Sequence, residues 1–302
     1  MSSQRHALRW SLPDEVVLKI VFSIPGRREL ANFIKALGPY YAVDLLGHLR
    51  KVQNESILWD WWPYLVLRPA FQTNAQLSSF EQVAKHFTIV RVFNSFDLNW
   101  LTAHVDPMAD QEWKFDTFDG ISDDFWTKWA ASQRISVVKS YVRSGVPLNL
   151  IHIFLPQLHY LSHLTLASNE NLALILAFAA QSTRLNELVI NIFPWTAHEL
   201  ITGQMANDVI EWFHRQPVRV FQFSNWNLVD LDATLKQLFY QVVFTCPTLE
   251  ELSIYNTKLD DVDFSGMALS TKSLTLSKCR LDPTFEEFLK SQGIPHLFVF
   301  HN

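Results

Sequence analysis

Leu161-Ser162-His163-Leu164-Thr165-Leu166-Ala167-Ser168-Asn169 fills every constrained position of the pattern Leu-x-x-Leu-x-Leu-x-x-Asn. Leu164 and Leu166 lie two residues apart, so in a short strand both point to one face, with Leu161 packing beneath where the chain comes in. The Asn169 amide is donor and acceptor at once and can serve backbone groups left open where the chain turns. A single match of this kind is cheap in a Leu-rich chain, and its weight rests on recurrence.

It recurs. Leu185-x-x-Leu188-x-Ile190, Val218-x-x-Phe221-x-Phe223, Leu249-x-x-Leu252-x-Ile254, Thr271-x-x-Leu274-x-Leu276 and Ile294-x-x-Leu297-x-Val299 follow at steps of 24, 33, 31, 22 and 23 residues. Between them, residues 171–182, 205–216, 232–246 and 283–292 are helix-permissive, with Leu235, Leu238, Phe239, Val242 and Val243 as the clearest apolar face. Asp282-Pro283 reads as a cap and a first-turn proline. The spacing resembles that of leucine-rich repeats, as does Cys246-Pro247-x-Leu249-x-x-Leu252. The fold class expected is α/β: a solenoid with parallel strands on the concave side and helices on the convex side. Phe193, Trp226, Thr257 and Cys279 stand where Asn169 stands, before Asn302 restores it, so the turns after the strands are expected to differ in shape.

Upstream the pattern fades. Residues 135–138 make a weak strand, Trp62 to Leu67 and Phe87 to Val92 read as earlier strands, and Leu77, Phe80, Val83, Ala84 and Phe87 have helical spacing. Residues 104–125 read either as a surface insertion or as a divergent repeat around Trp113 and Phe115. Eight of the eleven tryptophans precede residue 130 and are read as core and cap packing.

At the N-terminus, Ser11 as cap, Pro13 in the first turn and Asp14 and Glu15 at the dipole's positive end start a helix with Val16, Val17, Ile20, Val21 and Ile24 at helical spacing. Pro25-Gly26 ends it. A second helix from Arg27 carries Leu30, Phe33, Ile34 and Leu37, and a third is expected over 40–49. Leu12-Pro13-Asp14-Glu15-Val16-Val17-Leu18-Lys19-Ile20-Val21-Phe22 resembles the opening of an F-box. That resemblance implies docking to a Skp-type adaptor subunit of a cullin-type (SCF) ubiquitin ligase, with contacts from Leu12, Pro13, Val16 and Ile20. The division expected is an all-α F-box-like segment over 1–52, an aromatic-rich cap or first repeats over 53–134, and the solenoid over 135–302.

Charge and composition narrow the function. The chain has 302 residues, 48% hydrophobic and 18% charged, and a net charge of -5, which leaves no excess of cations for general nucleic-acid binding. Residues 1–50 hold seven Lys/Arg against four acids, so the remainder is strongly negative. Two cysteines make no disulfide framework, no signal peptide or membrane span is legible, and a cytoplasmic or nuclear place is expected.

Motifs for chemistry are thin. The eight glycines form no phosphate loop. His159-x-x-x-His163 has metal-ligand spacing without a metalloprotease glutamate, and the calcium-loop likeness at Asp261-x-Asp263-x-Ser265 fails at Lys272. Glu250 and Glu251 fall on opposite strand faces. No enzyme activity and no cofactor is expected. Target recognition is expected from residues between the leucines: His163, Thr165, Glu187, Asn191, Gln222, Ser224, Glu251, Ser253, Tyr255, Ser273 and Thr275, with Phe298 and Phe300 as further anchors. The leading expectation is a non-catalytic adaptor that selects a protein for ubiquitination. The alternative is a repeat-only binding scaffold whose N-terminal helices serve as a cap.

Overall fold

The computed structural model describes residues 12–37, 49, 62–69, 78, 80–132, 134–142, 150–168, 170–190 and 198–300. The expected third helix, apart from helical Leu49, lies outside the described residues, as do Ser11, Asn169, Asn191 and Phe193. The chain divides into two compact units, Met1–Asp110 and Gln111–Asn302. The sequence reading placed its limits after residues 52 and 134 instead.

In the first unit, α1 (Asp14–Ser23) is followed by α2 (Arg27–Leu37). Pro13 takes the cap position of α1 rather than its first turn, its carbonyl accepting from the N–H of Val16 and Val17. Val17 and Val21 of α1 and Leu30 and Ile34 of α2 are buried. Strand β1 (Leu65–Leu67) pairs in parallel with β2 (Ile89–Phe93). Phe22 of α1 packs edge-on against Phe87 at 5.1 Å and tilts against Trp62 at 5.5 Å. Helix α3 (Leu98–His104) is capped by Asp97, whose carboxylate accepts from the N–H of Asn99 and Trp100.

The second unit is built on a parallel sheet. Its strands are β3 (Asp110–Phe115), β4 (Ile135–Ser140), β5 (His163–Leu166), β6 (Glu187–Ile190), β8 (Val220–Ser224), β10 (Glu251–Tyr255), β11 (Ser273–Ser277) and β12 (His296–Phe300), in that spatial order. The short strands β7 (Glu199–Leu200) and β9 (Trp226–Asn227) form a separate parallel pair that the sequence does not announce. Helices α4 (Asp123–Ser132), α5 (Leu172–Gln181), α6 (Gly203–Arg215), α7 (Ala233–Thr245) and α8 (Pro283–Ser291) alternate with the strands. Side-chain caps from Thr202, Asp232 and Asp282 start α6, α7 and α8. The apolar run after residue 148 becomes a π-helical turn (Leu150–Phe154) and a 3-10 turn (Leu155–Gln157).

Register follows the apolar recurrence. Leu164 pairs with Leu188, Leu188 with Phe221, Phe221 with Leu252, Leu252 with Leu274, and Leu274 with Leu297. All of these but Leu297, on the last strand, are buried. The helices pack on this same face: Trp212 of α6 meets Phe221 at 5.6 Å, and Phe239 of α7 meets Phe223 at 6.3 Å. Residues 104–125 turn out to contain a repeat strand, because Gln111, Trp113 and Phe115 of β3 alternate into the core and β3 pairs with β4. Trp126 and Trp129 of α4 close over Phe115 at 5.1 and 5.9 Å.

Two expectations are corrected. The buried face of α7 is Phe239, Tyr240, Val243 and Phe244, with Leu238 exposed. Aromatic area decides this, since Phe244 packs on Phe264 and Phe285 at 5.2 and 6.2 Å and rotates the helix toward them. The expectation that the turns after the strands all differ is also too broad: among the described residues four of them share one conformation, while those after β1, β3, β4 and β5 do not take it. Asn94, Asn225, Asn256 and Lys278, each the first residue after its strand, have φ of 54°, 59°, 46° and 54°. This left-handed conformation suits asparagine far better than a branched side chain.

Candidate functional site

Two surfaces hold the residues singled out in the sequence. On the first unit, Leu12 lies just before α1, and Val16 and Ile20 lie about one turn apart on it, about a quarter-turn from buried Val17 and Val21. Leu12 and Val16 are 49% and 39% exposed, Pro13 is exposed and Ile20 is half-buried. The stripe of Val17 and Val21 is used by the unit's own core, whereas the neighbouring stripe of Val16 and Ile20 leaves Val16 exposed. Glu15, Leu18, Lys19, Phe22 and His86 line a cleft of about 300 Å³. Partial burial, aided by Lys85, lowers the pKa of His86.

On the second unit, the sheet face away from the helices carries the residues between the leucines. Strand register arranges them in rows. His163, Glu187, Glu251 and Ser273 fall in the row nearest the strand starts, with Thr165, Gln222, Ser253 and Thr275 next, then Ser224 and Tyr255. Glu251 is exposed, and His163, Glu187, Gln222, Tyr255, Ser273 and Thr275 are half-buried. Thr165, Ser224 and Ser253 are buried, because these short side chains sit between longer register neighbours: Lys139 and Val189 flank Thr165, Tyr255 lies beside Ser224, and Gln222 beside Ser253. Contact on this face therefore comes mainly from the longer side chains. On β12 it becomes aromatic, with Phe298 and Phe300 stacked at 6.4 Å and 47% and 54% exposed.

A charge ladder runs across the strand starts. His163 pairs with Glu187, Arg219 reaches Glu187 at 3.6 Å and Glu250 at 2.7 Å, and Lys272 reaches Glu250 at 3.1 Å. From Glu187 to Lys272 the signs alternate from strand to strand, so Arg219 and Glu250 are each flanked by opposite charges. Hydrogen bonds from Arg219, then Lys272, hold the Glu250 carboxyl below the usual carboxylate range. The Arg219 guanidinium is raised in return, chiefly by its bond to Glu250. A group lowered on folding contributes stability that is full above its unfolded pKa and is lost as pH falls through its folded one. Glu250→Gln is therefore expected to narrow the stability difference between pH 7 and pH 3 in chemical denaturation, with a smaller change in 1 M salt, where exposed pairs are screened.

The histidine pair does not converge on a common ligand. His163 is engaged by Glu187, while His159 lines a cleft of about 460 Å³ with His152, Phe178, Gln181 and Ser182. Among the described residues no three His, Cys, Asp or Glu side chains group as metal ligands. Burial pushes the Cys279 thiol up to about 11, so at neutral pH it stays protonated, and its Sγ donates to the Ile254 carbonyl at 3.3 Å. Cys279, at the pattern position that Asn169 holds in the sequence, thus donates to neighbouring backbone. No helix among the described residues is long and apolar enough to cross a membrane.

Sequence reasoning missed a cleft of about 320 Å³ at the other end of the strands, lined by His198, Trp226, Asn227, Asn256, Thr257, Lys258, Lys278 and Arg280. Its signal was a repeat offset: Lys258 and Arg280 each follow the central leucine of their strand, Leu252 and Leu274, by six residues, and they face each other across a parallel bridge. No family model matches the chain, and neither a curated protein nor a solved structure matches it.

Proposed function

We propose that the chain is a non-catalytic substrate-recognition adaptor of a cullin-type ubiquitin ligase, with an F-box-like N-terminal segment and a leucine-rich-repeat solenoid. The observation that carries this reading is the exposure of apolar Leu12, just before α1, and Val16 on it, where a surface helix is ordinarily polar, with Ile20 half-buried one turn further on. It coincides with the residues that the F-box likeness selects for the adaptor. The regular strand–helix alternation and the hydrogen-bonding face beside Tyr255, Phe298 and Phe300 support the second half, selection of a target protein.

The test is co-purification of the full chain with a Skp-type adaptor. The double variant Leu12→Asp/Val16→Asp is expected to lose at least tenfold in adaptor affinity, since it places carboxylates in an apolar contact. Because both positions are exposed, stability should change by no more than about 0.5 kcal/mol. Wild-type chain that ignores the adaptor, or a variant that binds it as well as wild type, would sink the reading.

A further inference from the structure

We infer that the cleft beyond the carboxyl ends of β8, β10 and β11 is a binding site for an acidic, carboxylate-rich peptide segment. Lys258, Lys278 and Arg280 bring three permanent cations to it, in a chain whose net charge is -5. One carboxylate offsets them. Asp260 holds Arg280 at 2.6 Å and approaches Lys258 at 3.8 Å, so the cleft keeps a surplus of positive charge, with Lys278 an exposed side chain.

The neutral groups point the same way. The Asn227 side-chain oxygen already accepts from the N–H of Val229, which leaves the amide's donor end for a ligand. The indole N–H of Trp226, a residue that lines the cleft and is 1% exposed, has no acceptor among the described residues. The ring itself is fixed by stacking on Phe223 at 4.4 Å. Donors and cations in surplus over acceptors select an anion.

The arrangement favours an extended acidic segment over a single phosphate. Compact phosphate sites converge backbone N–H groups on one point. Here the N–H groups of Asn225, Asn256 and Lys278 are consumed by the carbonyls of Tyr255, Ser277 and Phe300 on the next strands. The cations instead follow two neighbouring strands, Lys258 after β10 and Lys278 and Arg280 after β11, and two of them already hold a carboxylate, that of Asp260. The inference stands whether or not α1 docks an adaptor.

The experiment is fluorescence anisotropy of the full chain with labelled hexaglutamate, with hexaglutamine as the neutral counterpart and inorganic phosphate and pyrophosphate as competitors. Hexaglutamate is expected to bind and hexaglutamine not, with affinity falling as salt rises from 50 to 200 mM. The variant Lys258→Glu/Lys278→Glu should weaken binding at least tenfold, while Lys290→Glu on α8 leaves it within twofold. Thermal melts of both variants, expected to match wild type, separate lost binding from lost folding. Absence of hexaglutamate binding at 50 mM salt, equal loss with Lys290→Glu, or binding of phosphate and pyrophosphate without hexaglutamate would each overturn the inference.

Discussion

Replacing Trp212 by alanine is expected to cost about 3–5 kcal/mol, the range for emptying a large aromatic site in a packed core. The side chain is fully buried between Phe213 at 5.2 Å and Phe221 at 5.6 Å, so its removal opens a cavity that rigid rings cannot collapse into. Its indole N–H donates to the Leu185 carbonyl at 2.7 Å, which ties α6 to the segment leading into β6. Trp212→Phe keeps most of the ring and forfeits that bond, leaving a buried carbonyl without this donor at about 1–3 kcal/mol. Urea titration gives both numbers. Hydrogen exchange gives the place: protection should fall first in β6 and β8, the strands that α6 joins, and last in β12. A Trp212→Ala loss below about 1 kcal/mol would contradict the packing described.

The parts of this fold that were legible in the sequence are those where one face is buried in every repeat. A strand buried on one side must alternate with period two, so Leu164, Leu188, Phe221, Leu252 and Leu274 disclosed both their strands and their mutual register. The same logic was available for Gln111, Trp113 and Phe115, but a polar first member hid it. That glutamine is inside because its side-chain oxygen accepts the indole N–H of Trp113 at 3.1 Å. Helix α7 misled in a different way. Leu235, Leu238 and Val242 form a plausible stripe, yet Tyr240 and Phe244 have more area to bury and set the helix's rotation.

The candidate surfaces were legible in unequal measure. The stripe on α1 follows from a spacing of four, and the sheet face follows from alternation, although neighbour size then decided that Thr165, Ser224 and Ser253 are shaded. The charge ladder was hidden because Arg219, Glu250 and Lys272 stand one residue before the alternating pattern and pair over long separations: Arg219 with Glu250 and Glu250 with Lys272. The cationic cleft was hidden by averaging, since a positive cluster inside a negative chain leaves no trace in net charge.

The turn asparagines carry the second large effect. Asn225→Ala is expected to cost about 2–3 kcal/mol, from two separable sources. Asn225 is fully buried at φ 59°, where alanine is strained by about 1–2 kcal/mol and glycine is not. Its side-chain oxygen also accepts the Asn256 amide at 2.6 Å, a contact between successive repeats worth about 1 kcal/mol. Asn225→Gly should therefore recover the backbone share and keep only the hydrogen-bond loss, so the order of stability is wild type, glycine, alanine. In a double-mutant cycle, Asn225→Ala and Asn256→Ala should couple by about 0.5–1.5 kcal/mol, because both remove one bond. Equal damage from glycine and alanine would rule out the backbone share, and additive effects would rule out the bond. The consequence reaches the cleft, since the Asn256 amide that lines it is held by Asn225 and lies 3.5 Å from His198. Asn225→Ala should thus weaken hexaglutamate binding as well as the fold, with Asn225→Gly weakening it too, because the tether and not the turn positions that amide.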